Sequence, residues 1–173
     1  MKRISLMFLI LLMGCFALAA TASDTLSVIV GVKSVFELNV DRAILEVKDI
    51  MPGKVATDLP DNEAVRVTVK SNNGVPWFLK ISDLTELTDG GRNTIPNSSF
   101  FWYGYPGRSA RGIWYGKDEQ TFSLDPILAY SCASSEYNNF PDGTDLFFKF
   151  KISVPPKQNS GLYRTNVAFT VTE

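Results

Sequence analysis

The sequence predicts an all-β protein, an antiparallel sandwich of immunoglobulin-like type. Apolar and polar residues alternate over short stretches, which is typical of strands with one buried face. Eight or nine such stretches are separated by turn signals, and no stretch has a convincing helical period, which argues against a parallel sheet with crossover helices. An up-and-down barrel is the alternative, and the irregular middle of the chain makes it the weaker one.

The first 22 residues have the composition of a secretory signal peptide. Lys2 and Arg3 precede an apolar run over Leu6–Ala20, which ends in an A-x-A site at residues 20–22. We expect cleavage after Ala22 and export to the periplasm, the cell surface or the medium. A rival interpretation takes residues 12–15 as a lipobox, in which Cys15 is acylated and holds the protein on a membrane.

Cleavage leaves residues 23–173 as one domain, which is 151 of the 173 residues. Lys2 and Arg3 leave with the signal, so 15 basic residues remain against 18 acidic ones, a net charge of −3. This charge predicts no nucleic-acid partner, because binding a phosphate backbone requires clustered basic residues. No later apolar run is long enough to span a bilayer.

The chain contains no histidine. Catalytic triads and zinc sites that depend on imidazole are therefore excluded, and we find no motif for another cofactor or metal. A carboxylate pair for glycoside hydrolysis stays open, although no two acids are marked as partners. Asp142-Gly143-Thr144-Asp145 has calcium-type ligands but is better explained as a turn. We expect a protein that is not an enzyme.

Predicted elements follow in chain order from Leu26. One strand extends over Leu26–Val40 with a change of face near Ser34, and a second over Ile44–Val47 ends at the Met51-Pro52-Gly53 turn. Residues 54–63 are polar and are predicted to form a loop.

The stretch Ala64–Ser82 predicts a β-hairpin with a buried tryptophan. Asn73-Gly74 supplies the corner, because these residues tolerate positive φ angles. Two triplets of alternating residues flank it and are expected to be buried: Val65, Val67 and Val69, then Trp77, Leu79 and Ile81.

Residues 97–116 are dense in aromatics, and their glycines predict a series of short pieces. Phe122, Leu124 and then Ile127–Tyr130 predict another strand, interrupted by Asp125-Pro126, and a polar surface loop follows over 131–139. Cys132 in this loop is the single cysteine after cleavage, so no internal disulfide forms, and a buried thiol is expected. Alternation over Leu146–Val154 and over Tyr163–Val171 predicts the last two strands, the first with a lysine-rich outer face.

Two segments carry a family resemblance: "GVPWFLKIS" at Gly74–Ser82 and "SGLYRTNVAFTVTE" at Ser160–Glu173. They resemble the two halves of WxL-type domains, bacterial surface β-sandwiches, and Met51-Pro52-Gly53 resembles the turn before the first motif. The second motif has phenylalanine and valine where tryptophan and leucine are the rule. The resemblance implies an exported, non-enzymatic, wall-associated protein whose motif residues are Trp77, Leu79, Tyr163, Phe169 and Val171.

The aromatic segment is the candidate binding site. Large aromatics are usually core residues, but exposed rings suit a protein interface or the apolar faces of sugars. The candidates are Phe101, Trp102, Tyr103, Tyr105, Trp114 and Tyr115.

The function we predict is a non-catalytic surface or periplasmic protein that binds other surface proteins or wall polysaccharide. Two alternatives remain. One is a fibre subunit, a homo-oligomer in which the strand-like run Ser23–Val32 completes a neighbour's sheet. The other is a carbohydrate-binding module that uses the aromatics of residues 100–115.

Overall fold

A computed structural model describes residues 27–44, 50–53, 57–58 and 64–173, with 57–58 described for the backbone alone. The predicted signal peptide with Cys15, most of the predicted strand over Ile44–Val47 and most of the 54–63 loop lie outside these residues. Contacts divide the chain into residues 1–32 and residues 33–173. In the described part of the first unit, residues 27–32, the side chains are exposed and no strand forms.

The second unit consists of strands and two short 3₁₀ turns, Asn97–Ser99 and Ser134–Glu136, and its described residues contain no α-helix. No helix among the described residues is both long and apolar enough to cross a membrane. The strands are β1 Phe36–Val40, β2 Thr57–Asp58, β3 Val65–Ser71, β4 Phe78–Asp83, β5 Leu87–Thr88, β6 Thr94–Ile95, β7 Phe100–Pro106, β8 Ile113–Trp114, β9 Gln120–Thr121, β10 Ile127–Ser131, β11 Thr144–Ile152 and β12 Val167–Thr172.

These strands form the predicted antiparallel β-sandwich. One sheet has the order β1-β3-β11-β7-β9, with β2 also paired to β11, and the other has the order β12-β4-β10-β8. The chain crosses directly between these two sheets at β3–β4 and at every connection from β7 to β12. A separate small ladder joins β5 to β6.

The core lies between the two sheets. The valines of β3 and the apolar residues of β4 predicted to be inside are buried, and they meet Trp102, Tyr130 and Phe148. Aromatic packing continues across the core, with Trp77 and Tyr130 ring centroids 5.5 Å apart and Phe148 and Phe169 centroids 4.8 Å apart. Burial of each such side chain contributes about 1.5–3 kcal/mol, so these contacts are the main stabilising term.

The predicted hairpin at Ala64–Ser82 is wrong in its pairing, although both of its strands exist. Strand β3 pairs with β1 and β11, whereas β4 pairs with β12 and β10. The corner therefore carries the chain from one sheet to the other, and Gly74 has the positive φ (72°) expected there. Each strand has one apolar face, and crossing places these faces against each other inside one core.

Four further predictions need correction. The strand predicted over Leu26–Val40 is limited to β1, because the described residues 27–32 pair with no strand. Part of the predicted 54–63 loop is strand β2. The predicted last strand is shorter, and Tyr163 lies before β12. Gly104 does not break the aromatic segment, since β7 continues through it.

Candidate functional site

The motif residues lie on neighbouring strands of one sheet. Leu79 of β4 is paired with Val171 of β12, and Ile81 is paired with Phe169. Trp77 is fully buried, and its indole Nε1–H donates to the carbonyl oxygen of Glu136 at 3.1 Å. Trp77 and Leu79 are thus part of the core and present no surface to a ligand.

Tyr163 is placed apart from this pair of strands. Its hydroxyl donates to the carbonyl oxygen of Asn159 at 2.9 Å and accepts from the side chain of Gln158 at 2.7 Å. These bonds close the loop before β12, so the residue has a structural role in this fold.

The six candidate aromatics do not form one site. Trp102 is fully buried and packs edge-on against Trp114, with ring centroids 6.2 Å apart. Trp114 is half-buried, and its Nε1–H donates to the carbonyl oxygen of Gly104 at 3.1 Å. Tyr115 follows β8 and bonds through its backbone to Ala129, so it belongs to the sheet opposite β7.

Three of the candidates share the outer face of β7, because they alternate with the buried Trp102. They are Phe101, Tyr103 and Tyr105, and the neighbouring strand β11 adds Phe147 directly opposite Tyr105. We call these four residues the outer aromatic face. The rings of Tyr105 and Phe147 are stacked at 5.1 Å with an interplanar angle of 17°.

Two lysines of β11 extend this face. Lys149 is paired with Tyr103, and its ammonium group lies 5.9 Å from the ring centroid of Tyr105. Lys151 forms an ion pair with Glu119. Stacked rings beside ammonium groups provide both apolar and hydrogen-bonding contacts, which is the chemistry that a saccharide surface requires.

A second feature is a cleft of about 1250 Å³ between the sheets, which we call the edge cleft. Its walls come from the end of β1, from β3, β11 and β12, from β5, β6 and the start of β7, and from the loop before β12, and they combine apolar with polar side chains. The residues on β1, β3, β11 and β12 are mostly apolar: Val40, Val65, Phe150, Lys151, Ile152, Val167 and Phe169. Leu162 and Arg164 lie in the loop before β12 and also line it.

The edge cleft is flanked by two strands with an unused edge. Among the described residues, β1 pairs only with β3, and β12 pairs only with β4. A strand edge of this kind presents backbone N–H and C=O groups that another strand can bind.

Two buried carboxyl groups lie elsewhere in the core, and the sequence patterns identified neither. Glu136 lies in the predicted surface loop yet is buried, where it accepts hydrogen bonds from Tyr130, Thr144 and the backbone of Ala133. Asp83 is also buried, and within the described structure neither of its oxygens has a hydrogen-bond partner. Burial raises the pKa of Asp83 to about 7.

The predicted buried thiol is half-buried instead. Cys132 Sγ accepts from the backbone N–H of Trp77 at 3.1 Å, and burial raises the pKa of the thiol. The protonated form is favoured, so the sulfur supports the start of β4 and is a poor nucleophile. The described residues contain no cluster of three or more metal-binding side chains.

No family model, curated protein or solved structure matches this chain. The geometry of the edge cleft and of the outer aromatic face is therefore the basis for a functional proposal.

Proposed function

We propose that this chain is an exported, non-catalytic protein that acts at the bacterial surface by assembling with other protein subunits. The edge cleft carries the proposal. It is a cavity with mainly apolar strand walls at the border of the sandwich, where the end strands β1 and β12 have an unpaired edge in the described structure.

Such a border is unfavourable for an isolated subunit. Apolar walls in contact with water lack the stabilisation of about 25 cal/mol per Å² that burial gives. Unpaired strand edges present backbone N–H and C=O groups that can bind a strand of another chain. A protein partner that covers the cleft removes both costs at once. The predicted signal peptide and the resemblance to WxL-type surface domains agree with a location outside the cytoplasm, and both stay predictions.

The first experiment compares two exposed leucines. Leu162 lines the edge cleft and is 54% exposed, whereas Leu124 lies outside the cleft and is 60% exposed. We expect the mature protein to form oligomers in sedimentation equilibrium, Leu162→Arg to dissociate them and Leu124→Arg to leave them intact. Purely monomeric mature protein, equal effects of both variants, or turnover of a wall polysaccharide by the purified protein would each contradict the proposal.

Export is tested separately in a bacterial host. We expect the full chain to be recovered outside the cytoplasm with Ser23 as its first residue, as N-terminal sequencing would show. Retention of residues 1–22 on a cytoplasmic protein would refute export but would leave assembly through the cleft intact.

We propose a second function for the outer aromatic face, which is the binding of wall polysaccharide. The exposed ring of Tyr105, which Phe147 holds in place by stacking, favours it, because an exposed aromatic ring can pack against the C–H face of a pyranose ring. The matched variants are Tyr105→Ala and Tyr115→Ala, since the two tyrosines are 45% and 43% exposed on opposite sheets. We expect retention on purified cell wall to fall with the first variant only, and retention unchanged by both would rule out this site.

A further inference from the structure

We propose that residues Ser27–Val32 of one copy of this chain insert as an additional strand into the edge cleft of a second copy. The inference rests on the proposed assembly function and identifies the partner as the protein itself. Strand addition supplies backbone hydrogen bonds along a sheet edge and side-chain contacts in alternate pockets.

The donor segment has the pattern that such a strand needs. Val28, Val30 and Val32 recur at every second position, and Leu26 continues the series in the sequence. In an extended chain these side chains share one face, while Ile29 and Gly31 lie on the other. The three valines and Ile29 are largely exposed, so apolar side chains of an unpaired segment are in contact with water.

The acceptor has the complementary properties. Its walls include Val40 of β1 together with Val167 and Phe169 of β12, from the outermost strands of the two sheets. Strand β12 is six residues long, the same length as Ser27–Val32, and each spans about 20 Å when extended. A six-residue donor therefore matches the available edge along its whole length.

The anchoring of residues 33–35 fixes the point at which the donor segment joins β1. The carbonyl oxygen of Lys33 accepts from the Asn72 side chain at 2.9 Å, and the N–H of Val35 donates to the Asn72 side-chain oxygen at 2.7 Å. Asn72 follows the last residue of β3, which is paired with the first residue of β1. The chain is thus held at the end of β1 opposite Val40, the β1 residue that lines the cleft.

The described residues 27–32 are exposed and pair with no strand, so their backbone and apolar side chains are available to a second copy. The bonds to Asn72 are compatible with exchange between copies, and repetition of the contact produces a ring or an open fibre, because donor and acceptor are different surfaces.

The first test uses the full mature chain and two aspartates on opposite faces of the donor. Val30→Asp places a charge on the face that enters the cleft, whereas Ile29→Asp places it on the other face. We expect Val30→Asp to weaken self-association at least about tenfold and Ile29→Asp to leave it close to wild type, as measured by sedimentation. Equal urea midpoints for both variants would show that the fold is intact, and equal loss of association would overturn the proposal.

The second test locates the donor by cross-linking in a Cys132→Ser background. One protein carries Val30→Cys and the other carries Leu162→Cys, and the two are mixed under mild oxidation. We expect disulfide-linked heterodimers, with Ile29→Cys giving far fewer. Absence of heterodimers overturns the exchange, as does a double variant whose cross-link forms within one chain at high dilution.

The outcomes also separate this inference from the proposed function. If Leu162→Arg abolishes oligomers while Val30→Asp does not, assembly through the cleft stands and the donor strand is refuted. If the mature wild-type protein is monomeric at all concentrations, both are refuted.

Discussion

The hydroxyl of Tyr130 donates to the carboxylate of Glu136 at 2.8 Å inside the protein. Glu136 also accepts from Thr144 Oγ1 at 2.9 Å and from the N–H of Ala133 at 2.7 Å. The Tyr130 oxygen in turn accepts from the N–H of Gly112 at 2.6 Å. One buried carboxylate thus joins β10, the following loop and the start of β11, and burial together with the hydrogen bond to Glu136 raises the pKa of Tyr130.

Replacing Glu136 is expected to destabilise the fold severely. Glu136→Ala leaves the buried hydroxyls of Tyr130 and Thr144 and the part-buried N–H of Ala133 without this acceptor, and each buried donor left unpaired costs about 1–3 kcal/mol. We predict a loss of about 3 kcal/mol or more in the free energy of unfolding, measured by urea denaturation. Glu119→Ala, at a largely exposed residue, serves as the control and should cost less than about 1 kcal/mol. A similar, small loss for both variants would show that the buried network contributes little.

Asp83 is expected to make stability depend on pH. Burial raises its pKa to about 7 in the folded protein from an ordinary 3.8, so the folded state binds the proton more tightly than the unfolded state. The contribution of Asp83 to the free energy of unfolding is full below pH 3.8, falls as the pH rises from about 4 to 7, and is lost above about pH 7. Over this pH range the shift corresponds to a decrease on the order of 4 kcal/mol in the free energy of unfolding.

The measurement is urea unfolding of the wild type and of Asp83→Asn at several pH values from 4 to 8.5. We predict that the variant is more stable than the wild type above pH 7 and that it lacks most of the decline between pH 4 and 7. Hydrogen bonds from Asn93 and Gly91 lower the pKa of the half-buried Asp89, so its effect on stability is confined to more acidic solutions. Parallel pH profiles for wild type and variant would disprove the role of Asp83.

Strands with one buried face could be predicted from the sequence because alternation is a local property. The residues of β3 and β11 follow it along their whole length, and their buried and outward positions are as predicted. The same period also separates the buried Trp102 from the outward Tyr103 and Tyr105. That signal was present in the sequence but was obscured by the density of aromatics.

Partners across the sheets could not be predicted in this way. No local sequence feature at Asn73-Gly74 distinguishes a hairpin from a crossing between sheets. Which of the two forms depends on the strands that pair with β3 and β4, and these lie far away in the sequence. Glu136 lies in a polar stretch that has the composition of a surface loop. Its burial follows from Tyr130 and Thr144, which are adjacent only in the folded chain.

Leu79 and Phe78 are neighbours on β4 with opposite environments. Leu79 is fully buried opposite Val171, whereas Phe78 points outward and is exposed. We predict that Leu79→Ala lowers the free energy of unfolding by about 2–5 kcal/mol, because it loses apolar burial and leaves a cavity. Phe78→Ala should lower it by less than about 1 kcal/mol, although it removes more atoms. Thermal unfolding of both variants measures the two losses in stability. A larger loss for Phe78→Ala than for Leu79→Ala would mean that the tryptophan-leucine motif is not part of the core.

Gly104 is expected to be the position where the smallest substitution has the largest effect. A Cβ atom added there would lie 2.0 Å from the carbonyl oxygen of Phe147, which is backbone and has no alternative rotamer. Gly104→Ala must therefore separate β7 from β11 and disrupt the register that places Phe147 opposite Tyr105. We predict a loss of at least about 3 kcal/mol, compared with less than about 1 kcal/mol for Gly161→Ala, where the nearest atom lies at an ordinary 3.4 Å. Urea denaturation tests this, and a Gly104→Ala protein as stable as the wild type would show that the two strands do not approach as closely as the structure has them.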